Sequence, residues 1–250
     1  MKFFIRTYGC RANQYDSEQA RQLLVASGGI EVEDASAADV AVFNSCSVTT
    51  AAEAELRKDV RRLARNNPNV RSLVVGCAPG LPQRNEATAP LRTLPTVIDA
   101  IAGLDVDEIS STLELGRVDR ARSAQTGSRG LLRIQDGCDE HCTFCATTIA
   151  RGPNRSRSVE DLVAEAAMLA DVHPEIVLTG IHIGSYGVDI GQSLSLLVET
   201  LIARVPSVRY RLSSLEATEV DDRLMELYSE RSRLAPYLHA PLQSGSNRVL

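Results

Sequence analysis

Apolar and polar positions along the first hundred residues alternate between two rhythms. Short apolar runs, "KFFIRTYG" from Lys2, "DVAVFN" (39–44), "VRSLVVGC" (70–77) and a weaker "TVIDAI" from Thr96, have the length and β-branched content of strands. Between them lie longer segments of helical period. "DSEQARQLLVAS" predicts a helix capped by Asp16 or Ser17 with Glu18 in its first turn. "TTAAEAELRKDVRRLARNN" predicts one capped near Thr49 or Thr50. Strands separated by helices of this length predict a doubly wound, parallel-sheet α/β domain over residues 1–115.

Residues 116–130, "GRVDRARSAQTGSRG", lose all periodicity and read as a linker. A second alternation occupies 131–250. Its strands are "LLRIQDG" (131–137), "EIVLTGI" (175–181), "VRYRLSS" (208–214) and "PYLHAP" (236–241), with helices near 158–171, 192–204 and 219–231. These are successive βα units of a barrel. Four strands do not close a barrel of the usual size, so the expectation is a partial (β/α) barrel cut off mid-domain at Leu250.

Composition changes this picture little. Apolar residues make up 44% and charged residues 24% of 250, which excludes wholesale disorder. No run approaches a membrane span, and the three-residue apolar run before Arg6 is too short for a signal peptide; a cytoplasmic protein with no membrane partner is expected. A net charge of −5 gives no global case for nucleic-acid binding. Local basic segments, Leu56–Arg65 and Ala150–Ser158, are the candidates, and a solvated face is the plain alternative.

The six cysteines carry the chemistry. Cys138, Cys142 and Cys145 form C-x3-C-x2-C after the first strand of the second domain. Structural zinc takes four protein ligands, usually as two C-x2-C pairs, and no second pair is present, so zinc and unligated thiols are the lesser alternatives to an Fe–S site. Three thiolates leave one iron of a [4Fe–4S] cube without a protein ligand, where a small chelating molecule can bind. Cys10, Cys46 and Cys77 each follow a strand of the first domain, so a parallel sheet carries all three to its carboxyl edge, where ligands usually bind. Small buried residues packed at strand ends are the alternative for each of them.

"GCDEHCTFC…ARG…RSRS" resembles the cluster loop of radical S-adenosylmethionine enzymes. With "TYGCRANQYDSE", "NSCSVT" and "VVGCA", the whole chain is similar to the methylthiotransferase family of that class, and "LTGIHIGSYG" adds to the likeness with its branch acting on threonylcarbamoyladenosine in tRNA. The resemblance implies two [4Fe–4S] clusters. One, on Cys138, Cys142 and Cys145, would chelate S-adenosylmethionine and yield a 5′-deoxyadenosyl radical that abstracts hydrogen from C2 of the adenine. The other, on Cys10, Cys46 and Cys77, would carry the sulfur to be inserted. The implied partners are tRNA and an electron donor such as a flavodoxin or ferredoxin. "ATTI" (146–149) departs from the Ile-Pro-containing word usual in the family, and the family's further barrel units and small RNA-binding β-barrel are not in this sequence.

Further candidates come from position. Gly180 in "LTGIHIGSYG" allows close backbone approach to a cofactor or makes a turn, and His182 is a proton relay or a structural residue. Ser213, Ser214 and Glu216 end the third barrel strand, with Glu216 a candidate for the cofactor's ribose or amino group; Gln243 and Ser244 end the fourth similarly. Arg151, Arg155 and Arg157 are candidates for a cofactor carboxylate or RNA phosphate. Asn13, Gln14 and Asp16 shape the pocket of the second cluster or cap the following helix. The alternative functions are a methylthiotransferase acting on isopentenyladenosine in tRNA or on a ribosomal protein, a non-catalytic Fe–S electron-transfer protein, and an inactive fragment.

Overall fold

Every residue of the strand Val40–Ser45 is buried, and its side chains alternate between two layers. Val40 and Val42 face one apolar layer with Phe3, Leu24, Leu73 and Ile109, while Ala41 and Phe43 face another with Leu56, Val60 and Val74. A strand buried on both faces needs helices on both sides of its sheet, which is the doubly wound arrangement expected. The structure is a computed structural model that describes residues 1–46, 50–82, 90–116, 125–143, 145–230 and 233–249.

Two compact units divide the chain: Met1–Ser123 with Asp139–Gly152, and Ala124–Cys138 with Pro153–Leu250. The first unit contains β1 (Lys2–Thr7), α1 (Arg11–Ala26), β2 (Ile30–Glu31), β3 (Val40–Ser45), α2 (Thr50–Asn66), β4 (Arg71–Gly76), β5 (Val97–Ala100) and α3 (Val106–Thr112), and takes in the short α4 (Thr147–Arg151). Its five strands are all parallel, in the order β2-β1-β3-β4-β5. Strand order reverses between β1 and β3, so a topological switch point opens at their carboxyl ends.

Two details of the first helix differ from the sequence expectation. α1 begins at Arg11 with Cys10 as its N-cap, one turn and more before Asp16 and Ser17. Both lie buried inside the helix, Ser17 against Thr7 Oγ1 and Asn44 Nδ2, and Asp16 against Arg151, so neither caps it. Polar residues with tertiary partners can sit in mid-helix, and cap statistics do not register those partners. The expected cap at Thr49 and residues 117–124 of the linker lie outside the described residues. The two-residue β2 and the helix α3 are additions to the expected elements.

The second unit has β6 (Gly130–Arg133), β7 (Gln135–Asp136), β8 (Arg155–Ser156), α5 (Val159–Ala170), β9 (Glu175–Thr179), α6 (Leu194–Arg204), β10 (Arg209–Leu212) and α7 (Asp222–Ser229). β6, β9 and β10 form a parallel sheet in chain order, as successive βα units require. Leu132, Leu162, Leu178, Leu197, Leu201 and Tyr210 fill the core beneath the helices. Ser158, Ser193 and Asp221 cap α5, α6 and α7 by accepting from backbone N–H groups three residues on.

The expected strand 131–137 breaks at Ile134, and its second half, β7, pairs antiparallel with β8. The expected fourth strand is no continuous ladder. Two isolated parallel bridges, Tyr210 with Leu234 and Ser214 with His239, mark its place. Pro236 has no N–H for a ladder, which accounts for the gap between the bridges. Among the described residues no helix is long and apolar enough to cross a membrane.

Glu175, at the start of β9, is almost fully buried beneath Arg211 Nε (2.6 Å), Arg209 Nη2 (2.6 Å) and Arg129 Nε (3.2 Å). Burial pushes its carboxyl up, but hydrogen bonds and charge from Arg211 and Arg209 outweigh this and hold it below the ordinary carboxylate range. Because Arg209 and Arg129 are about half exposed, Glu175→Gln should cost only about 1–2 kcal/mol at neutral pH. A depressed folded value stabilises above the unfolded one and is lost as pH falls through it. The gap between wild type and Glu175→Gln in denaturant midpoint should therefore shrink below about pH 4.5, and a gap that widens there contradicts this account.

Candidate iron-sulfur and cofactor sites

Three strand ends meet at Asn13 in the first unit. The fully buried Asn13 amide donates from Nδ2 to Ser45 O (2.7 Å), Tyr8 O (3.1 Å) and Asn44 Oδ1 (3.2 Å), while Asn44 Nδ2 donates back to Asn13 O (2.7 Å). These hydrogen bonds tie the first turn of α1 to the residues that follow β1 and to the end of β3. Ser45 closes the group onto β4, giving its hydroxyl to Val75 O (2.6 Å) and accepting from Ala78 N (3.1 Å).

Into this frame project the thiols of Cys10, Cys46 and Cys77, each just past the carboxyl end of β1, β3 or β4. Cys10 Sγ lies 3.6 Å and Cys77 Sγ 4.0 Å from the same Asn13 Oδ1. Cys46 and Cys77 are buried, Cys10 is exposed, and none of the three forms a disulfide. Burial pushes the Cys77 thiol up, Arg151 pulls it back, and Cys10 and Cys46 add to the rise, as expected where three potential anions face one another. Gly9, at φ +101°, makes the approach possible: a Cβ there would lie 2.6 Å from Cys46 Cβ and 2.8 Å from its sulfur.

Arg151, at the end of α4, enters the same site. Its buried guanidinium donates from Nη2 to Asp16 Oδ2 (2.8 Å) and Asn13 Oδ1 (2.9 Å), and from Nε to Cys77 Sγ (3.2 Å). The structure thus brings Arg151, Asn13 and Asp16 to the thiols, while Gln14 faces outward.

In the second unit, the fully buried Gln135 holds the glycine-rich loop. Its Oε1 accepts from Ile181 N (3.1 Å) and His182 N (2.9 Å), and its Nε2 donates to Asn154 Oδ1 (2.6 Å) and Gly137 O. A Cβ on Gly180 would stand 2.9 Å from Gln135 O and Oε1, so this glycine packs against the glutamine. His182 Nε2 meets the Glu219 carboxylate, and its Nδ1 lies 3.8 Å from Cys138 Sγ.

The remaining candidates are dispersed. Ser213 is buried and gives its backbone N–H to Leu178 O, Ser214 Oγ meets His239 Nδ1 (2.8 Å), and Glu216 is exposed, its N–H given to Glu219 Oε2 (2.9 Å). Gln243 and Ser244 have no place at a strand end. Arg155 lies 3.6 Å from Asp136, and Arg157 donates to Glu165 (2.7 Å) and Arg133 O. Cys142 and Cys145 are exposed free thiols, with Cys145 Sγ 3.1 Å from Thr147 Oγ1. Among the described residues no three His, Cys, Asp or Glu side chains stand close enough to share a single metal ion.

Residues 2–103 match the model of the family described as "Uncharacterized protein family UPF0004", and residues 132–250 that of the radical SAM superfamily. The chain is 35% identical to threonylcarbamoyladenosine tRNA methylthiotransferase MtaB of Thermotoga maritima and 34% to that of Bacillus subtilis, over 98% of its length and 59% and 58% of theirs. It is 32% identical to tRNA-2-methylthio-N(6)-dimethylallyladenosine synthase of Hahella chejuensis, over 100% of the chain and 61% of the relative. The chain spans about three-fifths of the length of the curated relatives it matches.

The fold, the C-x3-C-x2-C loop and these matches define a radical SAM protein, a class that uses S-adenosylmethionine and a [4Fe–4S] cluster. Within that class the chain resembles the methylthiotransferase family and, within it, the MtaB type.

Gln135 and Asn154 were not among the sequence candidates. A lone glutamine just before the C-x3-C-x2-C loop carries no spacing signal; only its full burial and its reach to the 180–182 backbone reveal it. Gly9→Ala should cost about 1–3 kcal/mol in a denaturant titration through backbone strain and its clash with Cys46; an unchanged midpoint would contradict the packing. Gln135→Leu removes the acceptor for two amides at a cost of about 2 kcal/mol. Hydrogen exchange at Ile181 and His182 should speed up in that variant, and unchanged protection would place their acceptor elsewhere.

Proposed function

We propose that this chain provides the two cluster-binding units of a tRNA methylthiotransferase that places a methylthio group on C2 of N6-threonylcarbamoyladenosine beside the anticodon. The observation that carries the reading is the pairing of two three-thiol sets: one on a radical SAM loop, the other at the switch-point edge of a parallel sheet. Residues 1–115 and 131–250 are taken as the two domains, with 116–130 linking them.

In this reading Cys138, Cys142 and Cys145 hold the cluster that binds S-adenosylmethionine, and Cys10, Cys46 and Cys77 hold a second. When bound, these groups supply a 5′-deoxyadenosyl radical and the sulfur to be inserted. The chain's own residues do the placing. Asn13 fixes the ends of β1 and β3, and Ser45 ties in β4, so that the thiols face one another, and Gln135 fixes the backbone that presents His182 to the Cys138 sulfur. Gly180, Ser213 and Glu216 remain candidates for the face that receives the cofactor. The substrate is tRNA, the electron donor a flavodoxin or ferredoxin, and the compartment the cytoplasm.

Anaerobic reconstitution should yield about eight irons per chain, four per cubane. The triple variant Cys138→Ala, Cys142→Ala, Cys145→Ala should retain about half of that iron and lose production of 5′-deoxyadenosine. Cys46→Ala should keep that product and lose sulfur insertion. Iron without any cleavage of S-adenosylmethionine in wild type would turn the reading to an electron carrier. Methylthiolation of isopentenyladenosine in preference to the threonylcarbamoyl nucleoside would move it to the other tRNA branch.

A further inference from the structure

The buried ion pair Asp16–Arg151 stands directly on the three-thiol site. The side chains are 0% and 1% exposed, and both belong to the first compact unit, as do Asn13 and Cys77. Taking two such charges out of water costs several kcal/mol, and a well-packed apolar pair of similar volume often serves stability equally well. Stability alone therefore does not account for these residues.

Their geometry does. A guanidinium presents its donors in a rigid planar fork, so the atom that meets one partner fixes the direction of the next. Here Nη2 is anchored by Asp16 Oδ2 at 2.8 Å and Asn13 Oδ1 at 2.9 Å, and that anchorage leaves Nε aimed at Cys77 Sγ at 3.2 Å. The backbone is fitted to the same end. α4 packs on the turn Ala78–Gly80 that follows Cys77, and a Cβ on Gly80 would come within 2.6 Å of Ala150 O. The position of Arg151 is thus set from its carboxylate partner, its amide partner and its own backbone.

We propose that Arg151 is a positioning residue of the second cluster, oriented by Asp16, donating a hydrogen bond to the Cys77 sulfur and setting the charge around the cluster that this sulfur ligates. The inference rests on the reading of Cys10, Cys46 and Cys77 as cluster ligands. Hydrogen bonds to ligating sulfurs and net charge are two of the principal determinants of an Fe–S reduction potential. A buried cation beside the sulfur favours the reduced, more negative cluster. A buried carboxylate behind that cation partly offsets it.

The two members of the pair therefore make opposite predictions. In full-length protein carrying Cys138→Ala, Cys142→Ala and Cys145→Ala, so that only the second site loads, anaerobic reconstitution is followed by a redox titration read in visible absorbance and electron paramagnetic resonance. Arg151→Gln should shift the midpoint potential negative, and Asp16→Asn should shift it positive, each with the parent's iron content. Arg151→Lys keeps the charge but cannot serve carboxylate and sulfur together, so it should fall between the parent and Arg151→Gln. Opposite shifts support the proposal, because a merely structural pair would move both variants alike or neither. Unchanged potentials, or shifts of one sign, overturn it while leaving the ligand assignment intact. If Arg151→Gln fails to fold, the Asp16→Asn and Arg151→Lys shifts decide alone. A parent that takes up no iron overturns the ligand assignment itself, and with it this inference.

Discussion

A single buried amide makes the first site possible. Parallel strands deliver their carboxyl ends to one edge, but nothing in a parallel ladder obliges the residues beyond it to converge. Asn13 supplies that obligation. Its side chain reaches the backbone after β1 and the end of β3, and its own carbonyl accepts from Asn44 in return. At 0% exposure no water can replace these partners, so breaking any one hydrogen bond leaves a buried polar group unmet, and the three loops are held as one body. The cysteines are consequences of that frame: Cys10 caps the helix that carries Asn13, Cys46 follows the strand it accepts from, and Cys77 begins the turn tied to Ser45.

The second unit solves a similar problem with another amide. Gln135 sits where the first strand breaks, and the break is what frees it. A continuous strand through 131–137 would point the side chain at position 135 along the sheet's regular alternation. Ending β6 at Arg133 and turning Gln135–Asp136 to pair with β8 lets the amide address the loop after β9. Both sites thus depend on a carboxamide with four hydrogen-bonding positions, the one uncharged side-chain type that both donates twice and accepts twice.

The main strands, their parallel sense and the strand-end placement of Cys10, Cys46 and Cys77 were legible in the sequence because each follows from local rhythm. Apolar runs of β length alternating with helical period specify a doubly wound sheet, and the sheet then places whatever follows each strand. What escaped was whatever depends on a distant partner. Asp16 and Ser17 resemble helix caps in the sequence, but their partners are Arg151, 135 residues away, and Asn44, 27 residues away. "PYLHAP" has strand composition but carries a proline at its start, and a single bridge, Ser214 with His239, forms within it. Gln135 is one polar residue in a strand-like word, with no period to single it out.

Arginine shows the same limit most sharply. Counting charges made Leu56–Arg65 and Ala150–Ser158 candidate basic surfaces. In the folded chain Arg57 pairs with Glu53, Arg62 with Asp59, Arg155 with Asp136 and Arg157 with Glu165. Most of these pairs are at least partly exposed and contribute little individually to stability, yet each directs a cation toward its own chain and lowers what the segment offers to a phosphate. A basic run therefore measures electrostatic capacity before folding, not after it. Arg151 is the extreme case, because burial removes it from solvent altogether and leaves its charge to act on a carboxylate, an amide and a sulfur within the site.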